Sequence, residues 1–287
     1  MIKSSKPVSE TEKAGSSERN MILTINIANS HISIGCVDQE NVLFLERIFS
    51  NPLKTDLEYS VDILNAFRLH DIARSAVTGA VISCVVPQLQ SVFTDAVRRL
   101  FSLDPYIVSA AAQNLIRVRT PRPEEVGSNL IVNAVSAAAI YGCPVIIVDL
   151  STATTISAVD ESRTLIGAAI LPGMQTSMDA LTGGAAQLSQ TNIIGAVSPL
   201  GRTTEQSLNG GAIYGNAGMI DGILTRMEKE LKSAPKIVST GRISRILIPY
   251  CRHKITIDET LSVRGLAMLY EDRMRQNSGT SAERRQA

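Results

Sequence analysis

The chain carries one pattern twice. Ile22 to Asp38 reads ILTINIANSHISIGCVD, and Val145 to Asp160 reads VIIVDLSTATTISAVD. Each is a β-branched run that ends in a polar residue, Asn26 or Asp149, followed by a turn of small residues and a second apolar run. Period-two alternation with many Ile and Val residues predicts hairpins over 22–38 and 145–160. Two such copies predict two similar α/β halves, 21–140 and 141–275.

The rest of the chain alternates in the same way. A strand over 80–86 closes at Pro87, and a short strand is predicted over 236–239. Helices are predicted over 89–100, 128–141, 204–231 and 261–273. Alternating strands and helices give the α/β class. Within the 204–231 helix, Gly211 with Gly215 and Gly218 with Gly222 share one face at four-residue spacing. Helix-interior glycines cost roughly 1 kcal/mol each, so close packing is expected there, against this chain or a second subunit.

Composition narrows the function. A net charge of +1 over 287 residues provides no field that draws nucleic acid or an anionic membrane. Aromatic residues are 4% with no Trp, which leaves no platform for stacking bases. The most apolar window, 130–150, is interrupted by Asn133, Pro144 and Asp149, so it reads as helix, turn and strand. Cys36, Cys84, Cys143 and Cys251 are far apart and form no CxxC pair, as expected of reduced thiols in a cytoplasmic protein. Residues 1–20 are polar without an apolar core segment, and 276–287 are polar again. Both are expected to be flexible ends.

Strand-end turns rich in small and hydroxyl residues let backbone N–H groups and Ser/Thr oxygens approach a phosphate. Two of them across a cleft would grip a nucleoside triphosphate, with a strand-end carboxylate holding the neutralising cation. Ser30-His31 has no G-x-S-x-G elbow around it, so serine chemistry is set aside and His31 is expected to be a surface or strand residue. Arg117, Arg119 and Arg122 read as a solvated edge.

The ordered series ILTINIANS, ISCVVP, RPEEVGSNLIVNAVSAAAIYGCPVIIVDLSTATT, GAAILPGMQTSMDAL, GRTTEQSLNGGAIYG and VSTGRIS resembles the type III pantothenate kinases over 21–273. These belong to the acetate and sugar kinase/Hsp70/actin superfamily. The resemblance implies a duplicated ribonuclease-H-like (actin-like ATPase) fold, a homodimer, ATP with Mg2+, and a monovalent cation (K+ or NH4+). It also implies phosphorylation of pantothenate at the first step of coenzyme A synthesis.

The motifs depart from the family at chemical positions. The family's Asp-x-Gly-Asn-Thr is Asn26-Ile27-Ala28-Asn29-Ser30 here, so an amide replaces the phosphate-side acid. Its Gly-Ala-Asp-Arg is Gly127-Ser128-Asn129-Leu130. By resemblance Asn129 stands where the family has its general base, and an amide accepts no proton from a hydroxyl. Ser128 and Asn129 can alternatively cap the following helix.

Asp149, Thr152, Ala153, Thr154 and Thr155 keep the family's third motif, with Ser151 in place of a glycine; Asp149 is its cation-side acid. Gly167-Ala168-Ala169-Ile170-Leu171-Pro172-Gly173 keeps the next with one glycine fewer. Thr204 matches a threonine near the pantothenate site. Thr240-Gly241-Arg242 replaces Thr-Gly-Gly at a nucleotide-side turn, where Arg242 either crowds the adenosine or reaches a phosphate.

The expected site is therefore Asn26, Asn29, Ser30, Thr152, Thr154 and Gly241 for nucleotide. Gly127, Ser128 and Thr204 serve pantothenate, Asp149 the cation, and Asn129 fills the place of the base. Nucleotide binding is expected to be weak, and activity degenerate. The chain is expected to serve as a ligand-binding or partner subunit, as a homodimer or a heterodimer with an intact paralogue. Alternatives are an active pantothenate kinase, or a different small-molecule phosphotransferase or sensor on the same fold.

Overall fold

Strand β1 (Met21–Ile27) divides its side chains between two cores, and this division organises the molecule. A computed structural model describes residues 20–109, 113–122, 125–185, 198–231 and 233–283. Apart from Asn20, the expected N-terminal extension lies outside them.

In the first half, β1 is flanked by β2 (His31–Asp38), β3 (Asn41–Phe49), β4 (Val77–Cys84) and β5 (Tyr106–Ile107), in the sheet order β3-β2-β1-β4-β5. The second sheet contains β6 (Arg117–Val118), β7 (Val145–Leu150), β8 (Ala153–Val159), β9 (Thr164–Pro172), β10 (Lys236–Thr240) and β11 (Thr256–Ile257). Its order is β11-β10-β7-β8-β9-β6. Read from the other edge, β9-β8-β7-β10-β11 repeats the first sheet strand for strand, with β6 added outside. The expected duplicated α/β fold is present, and both hairpins fall where the sequence places them.

Helices fill three layers. Outside the first sheet lie α1 (Asp56–Leu69) and α2 (Pro87–Phe101), whose Tyr59, Phe67, Leu89 and Phe93 meet Leu23, Ile25 and Ile27. Between the sheets lie α3 (Ser128–Ile140) and α7 (Leu261–Glu283), where Ile131, Val135 and Leu266 join Ile22, Val145 and Ile147. Outside the second sheet lie α4 (Met174–Gly184) and α5 (Thr204–Leu231), packed on Ile146, Val148 and Leu150. The short α6 (Ser244–Leu247) follows β10. Alternate residues of β1 and β7 thus serve opposite faces, which is why both strands read as continuous apolar runs.

One element differs from the sequence expectation, and a second narrows it. The closing helix α7 runs to Glu283, beyond residue 276 where a disordered tail was expected. Four-residue side-chain bonds support the added turns: Gln276 Nε2 donates to Asp272 Oδ2 at 2.6 Å, and Ser278 Oγ to the Met274 carbonyl at 2.9 Å. Of the two neighbours expected for the glycine face of α5, the described residues of this chain do not provide one at Gly211, Gly215 or Gly218. A Cβ built on Gly211, Gly215 or Gly218 meets nothing within 4 Å among the described residues.

Arg117, Arg119 and Arg122 sit at the edge, bonded respectively to the Ser162 carbonyl, Asp160 and Glu125. No helix of the described residues is long and apolar enough to cross a membrane.

Candidate active site

The turns of the two hairpins meet. Thr152 Oγ1 donates to Ser30 Oγ at 2.8 Å, a hydrogen bond that closes the floor of a cleft between the halves. The cleft has a cavity volume of about 180 Å³, and its walls include Asn26, Ala28, Ser30, Asn129, Asp149 and Thr152.

Register makes Asn26 and Asp149 equivalent. Asn26 lies between Ser33 of β2 and Ser83 of β4; Asp149 lies between Thr155 of β8 and Thr240 of β10. Burial raises the Asp149 carboxyl from 3.8 to about 6, against the opposing pull of the Ser151 hydroxyl, the Asn133 amide and the Arg47 charge. The Asn133 amide donates to Asp149 Oδ2 at 3.1 Å. Asn26 Oδ1 and Asn133 Oδ1 are both buried and have no hydrogen-bond partner among the described residues.

Buried, unsatisfied oxygens are costly, so two of them on the cleft wall that carries the half-buried Asp149 carboxylate fit a hard cation. Among the described residues no three His, Cys, Asp or Glu side chains gather to hold a metal by themselves. Asp149, Asn26 and Asn133 are the residues that would hold the cation implied by the resemblance.

Glycine is required twice around the second turn. Gly241 has φ +96°, and a Cβ there would stand 2.4 Å from the Leu150 carbonyl oxygen. A Cβ on Gly173 would stand 2.3 Å from the Thr152 carbonyl oxygen. The first turn is closed by the Ala28 N–H, which donates to the His31 carbonyl at 3.1 Å. That amide is engaged within the hairpin.

On the acceptor side, Asn129 lines the cleft at the second position of α3. Capping does not account for it, since Gly127 is the N-cap and no side-chain bond caps that helix. Ser128 Oγ instead pairs with Ser83 Oγ at 2.7 Å, tying α3 to the first sheet. Leu130 packs against the central core.

The structure brings Asn26, Ser30, Asn129, Asp149, Thr152 and Gly241 to one cleft. Thr154 is 1% exposed within β8, Asn29 is exposed in the first turn, and Thr204 is exposed at the start of α5; none of them lines the wall. Gly127 and Ser128 stand one step behind Asn129.

Sequence reasoning missed Arg47, Asn133 and His31 as cleft residues. Asn133 was signalled as a polar break in an apolar helix. His31 opens β2 and stacks on Phe49 with centroids 5.0 Å apart, so its expectation as a strand residue holds but understates its place. Burial and the guanidinium groups of Arg242 and Arg47 hold its imidazole below the ordinary value.

The profile of the type III pantothenate kinase family matches residues 22–226. The chain belongs to this family. A type III pantothenate kinase of Dictyoglomus turgidum is 38% identical over 252 residues, covering 87% of this chain and 98% of that protein. One from Listeria monocytogenes is 33% identical over 250 residues, covering 87% and 96%.

Among solved structures, the ethanolamine utilization protein EutJ of Carboxydothermus hydrogenoformans superposes with TM-score 0.51 at 10% identity. That match covers 87% of this chain and 89% of EutJ. Component A of (R)-2-hydroxyglutaryl-CoA dehydratase from Acidaminococcus fermentans gives 0.51 at 9% identity, covering 88% and 96%. These two share the actin-like ATPase fold with the type III pantothenate kinase homologue described here.

Proposed function

We propose that this pantothenate kinase homologue is catalytically degenerate and acts as a ligand-binding or partner subunit linked to coenzyme A synthesis. The observation that carries this reading is Asn129. It stands in the cleft at the position of the family's base, and capping does not explain it.

In the family reaction a hydroxyl of pantothenate attacks the terminal phosphoryl group of ATP, and its proton must leave. Asn129 can orient that hydroxyl but cannot accept the proton. Ser30 and Thr152, tied across the floor, face the phosphates from both halves. Asp149, with Asn26 and Asn133, would hold Mg2+ or a monovalent cation. When bound, the cation supplies charge neutralisation to the phosphate oxygens. With Asn26 as an amide the two equivalent strand ends contribute one carboxylate, so Mg-ATP binds weakly.

The open glycine face of α5 supports a subunit contact, in a homodimer or with an intact paralogue. The kept second turn, together with relatives matched over nearly their whole length, favours the second reading, an active kinase.

A pantothenate-dependent assay of ADP release separates the two. The unaltered chain is expected to show no turnover. Asn26→Asp with Asn129→Asp is expected to restore it, since a general base contributes about 10²–10⁴ in rate. Turnover of the unaltered chain at about 1–100 s⁻¹, the range usual for kinases, overturns the degenerate reading.

A further inference from the structure

One aromatic pair borders the cleft and takes no part in holding phosphates or cation. His31 and Phe49 stand opposite each other in β2 and β3, with ring centroids 5.0 Å apart and planes tilted by 35°. His31 lines the cleft, whereas Phe49 is 76% exposed. Cross-strand pairing accounts for the contact between the rings. It does not account for so exposed a phenyl ring beside a cleft whose walls are mostly polar. The scarcity of aromatic residues that argues against a bound nucleic-acid strand still leaves enough ring surface here for a single base.

The pair is held against the first turn. The Ala28 N–H donates to the His31 carbonyl at 3.1 Å, and the Ser50 N–H, next to Phe49, donates to the Ser30 carbonyl at 3.0 Å. Both rings are therefore fixed relative to Ser30, whose hydroxyl closes the floor of the cleft. They stand towards the Gly241 turn, since the Arg242 charge reaches His31 from there. Ile243, the next residue, brings an apolar side chain to the same cleft. Burial and the charges of Arg242 and Arg47 hold the imidazole below its ordinary value, so at neutral pH the ring is uncharged.

We propose that His31 and Phe49 form a shelf on which the base of a bound nucleotide stacks, while Ser30 and Thr152 face its phosphates. The inference rests on the nucleotide reading of the cleft and goes beyond it by naming the residues that receive the base. Stacking reads ring area and not the hydrogen-bonding edge. The shelf therefore favours purine over pyrimidine nucleotides and treats adenine and guanine alike.

The chain has no Trp, so Phe49→Trp places a single indole on the shelf as a reporter. In excess Mg2+ its fluorescence should be quenched by saturating ATP or GTP, and not by saturating inorganic tripolyphosphate. By calorimetry, Phe49→Ala should weaken ATP binding about tenfold and leave tripolyphosphate within about twofold, as expected for the loss of one stacking ring. CTP should bind the unaltered chain about threefold more weakly than ATP, and Phe49→Ala should erase that difference. Phe49 is exposed, so folding is not at risk. Phe49→Tyr keeps the ring and should keep the affinity of the unaltered chain.

ATP affinity that Phe49→Ala leaves unchanged, or lowers no more than that of tripolyphosphate, overturns the shelf and leaves the nucleotide reading standing. Indole fluorescence that saturating ATP does not alter has the same consequence. If neither ATP nor tripolyphosphate binds the unaltered chain, the nucleotide reading falls and the shelf falls with it.

Discussion

The two halves share one strand plan but not one chemistry. In the first, the row across the central strand is Ser83, Asn26, Ser33 and Arg47; in the second it is Thr240, Asp149, Thr155 and Ile170. An amide and a guanidinium in one half answer a carboxylate and an isoleucine in the other. The buried faces stay alike because packing density fixes them, as the matched roles of Ile22 with Val145 and of Leu23 with Ile146 show. The cleft rows are free to diverge because ligand, not core, sets their identity. Duplication therefore preserves a frame, and the reaction depends on a few positions at strand ends.

The comparison breaks most visibly at Gly241. Its φ of +96° and the 2.4 Å approach to the Leu150 carbonyl leave no room for a side chain. Gly241→Ala should cost roughly 3 kcal/mol, read as a shift in the urea midpoint. Cys84, which follows Ser83 as Gly241 follows Thr240, already carries a side chain, so Cys84→Ala should change stability by about 1 kcal/mol or less. Equal effects would mean that the two turns are constrained alike.

A second break exchanges the central polar residues. The Asp149 carboxyl rises from 3.8 to about 6, so the folded state holds its proton more tightly than the unfolded chain does. Without a cation, stability should fall as pH rises from about 4 through about 6 and then level, by up to about 3 kcal/mol. Asp149→Asn should remove that slope and stabilise the chain at pH 8 in metal-free buffer. A thermal melt series with and without K+ or Mg2+ measures it, and salt should stabilise the unaltered chain more at pH 8 than at pH 5. A flat profile in the unaltered chain contradicts the assignment.

Much of this frame was legible in sequence, and the reasons are specific. Hairpins announced themselves through β-branched alternation, and α5 through its length. The Thr55–Glu58 capping box at the start of α1, where Glu58 Oε2 accepts from the Thr55 N–H at 2.8 Å, was an available signal that went unused. The motif Gly167–Gly173, to which the sequence reading gave no element, lies in β9 up to Pro172.

The cleft rows were the least legible part. Arg47 reaches the site only through the pairing of β3 with β2 and of β2 with β1, two long-range registers that no local pattern encodes. Thr154 failed for the converse reason. It sits in a kept motif, but strand alternation turns it into the interior of β8.

A third measurement makes the first half resemble the second. Asn26→Asp places a carboxylate one row position from Ser33 and two from Arg47. Arg47 offsets part of the burial cost, so destabilisation at pH 8 in metal-free buffer should be about 1 kcal/mol. Mg-ATP affinity should rise as the second acid is restored. Loss of Mg-ATP binding in this variant would contradict the equivalence of the two strand ends.

The smallest expected effect tests whether the halves are held together at all. Thr152→Val keeps the β-branched shape and removes the hydroxyl that donates to Ser30 Oγ at 2.8 Å. Ser30→Ala removes the acceptor. Each should cost about 1 kcal/mol, the usual net value of a hydrogen bond. Because they act on one bond, the double variant should cost less than the sum, with a coupling of about 0.5–1 kcal/mol. Ser30 and Thr152 lie 122 positions apart and belong to different sheets, so coupling at this site reports the closed floor of the cleft and nothing local. Additive costs would mean that the two turns do not touch in solution, and a floor that is open could not present both hydroxyls to one phosphate chain.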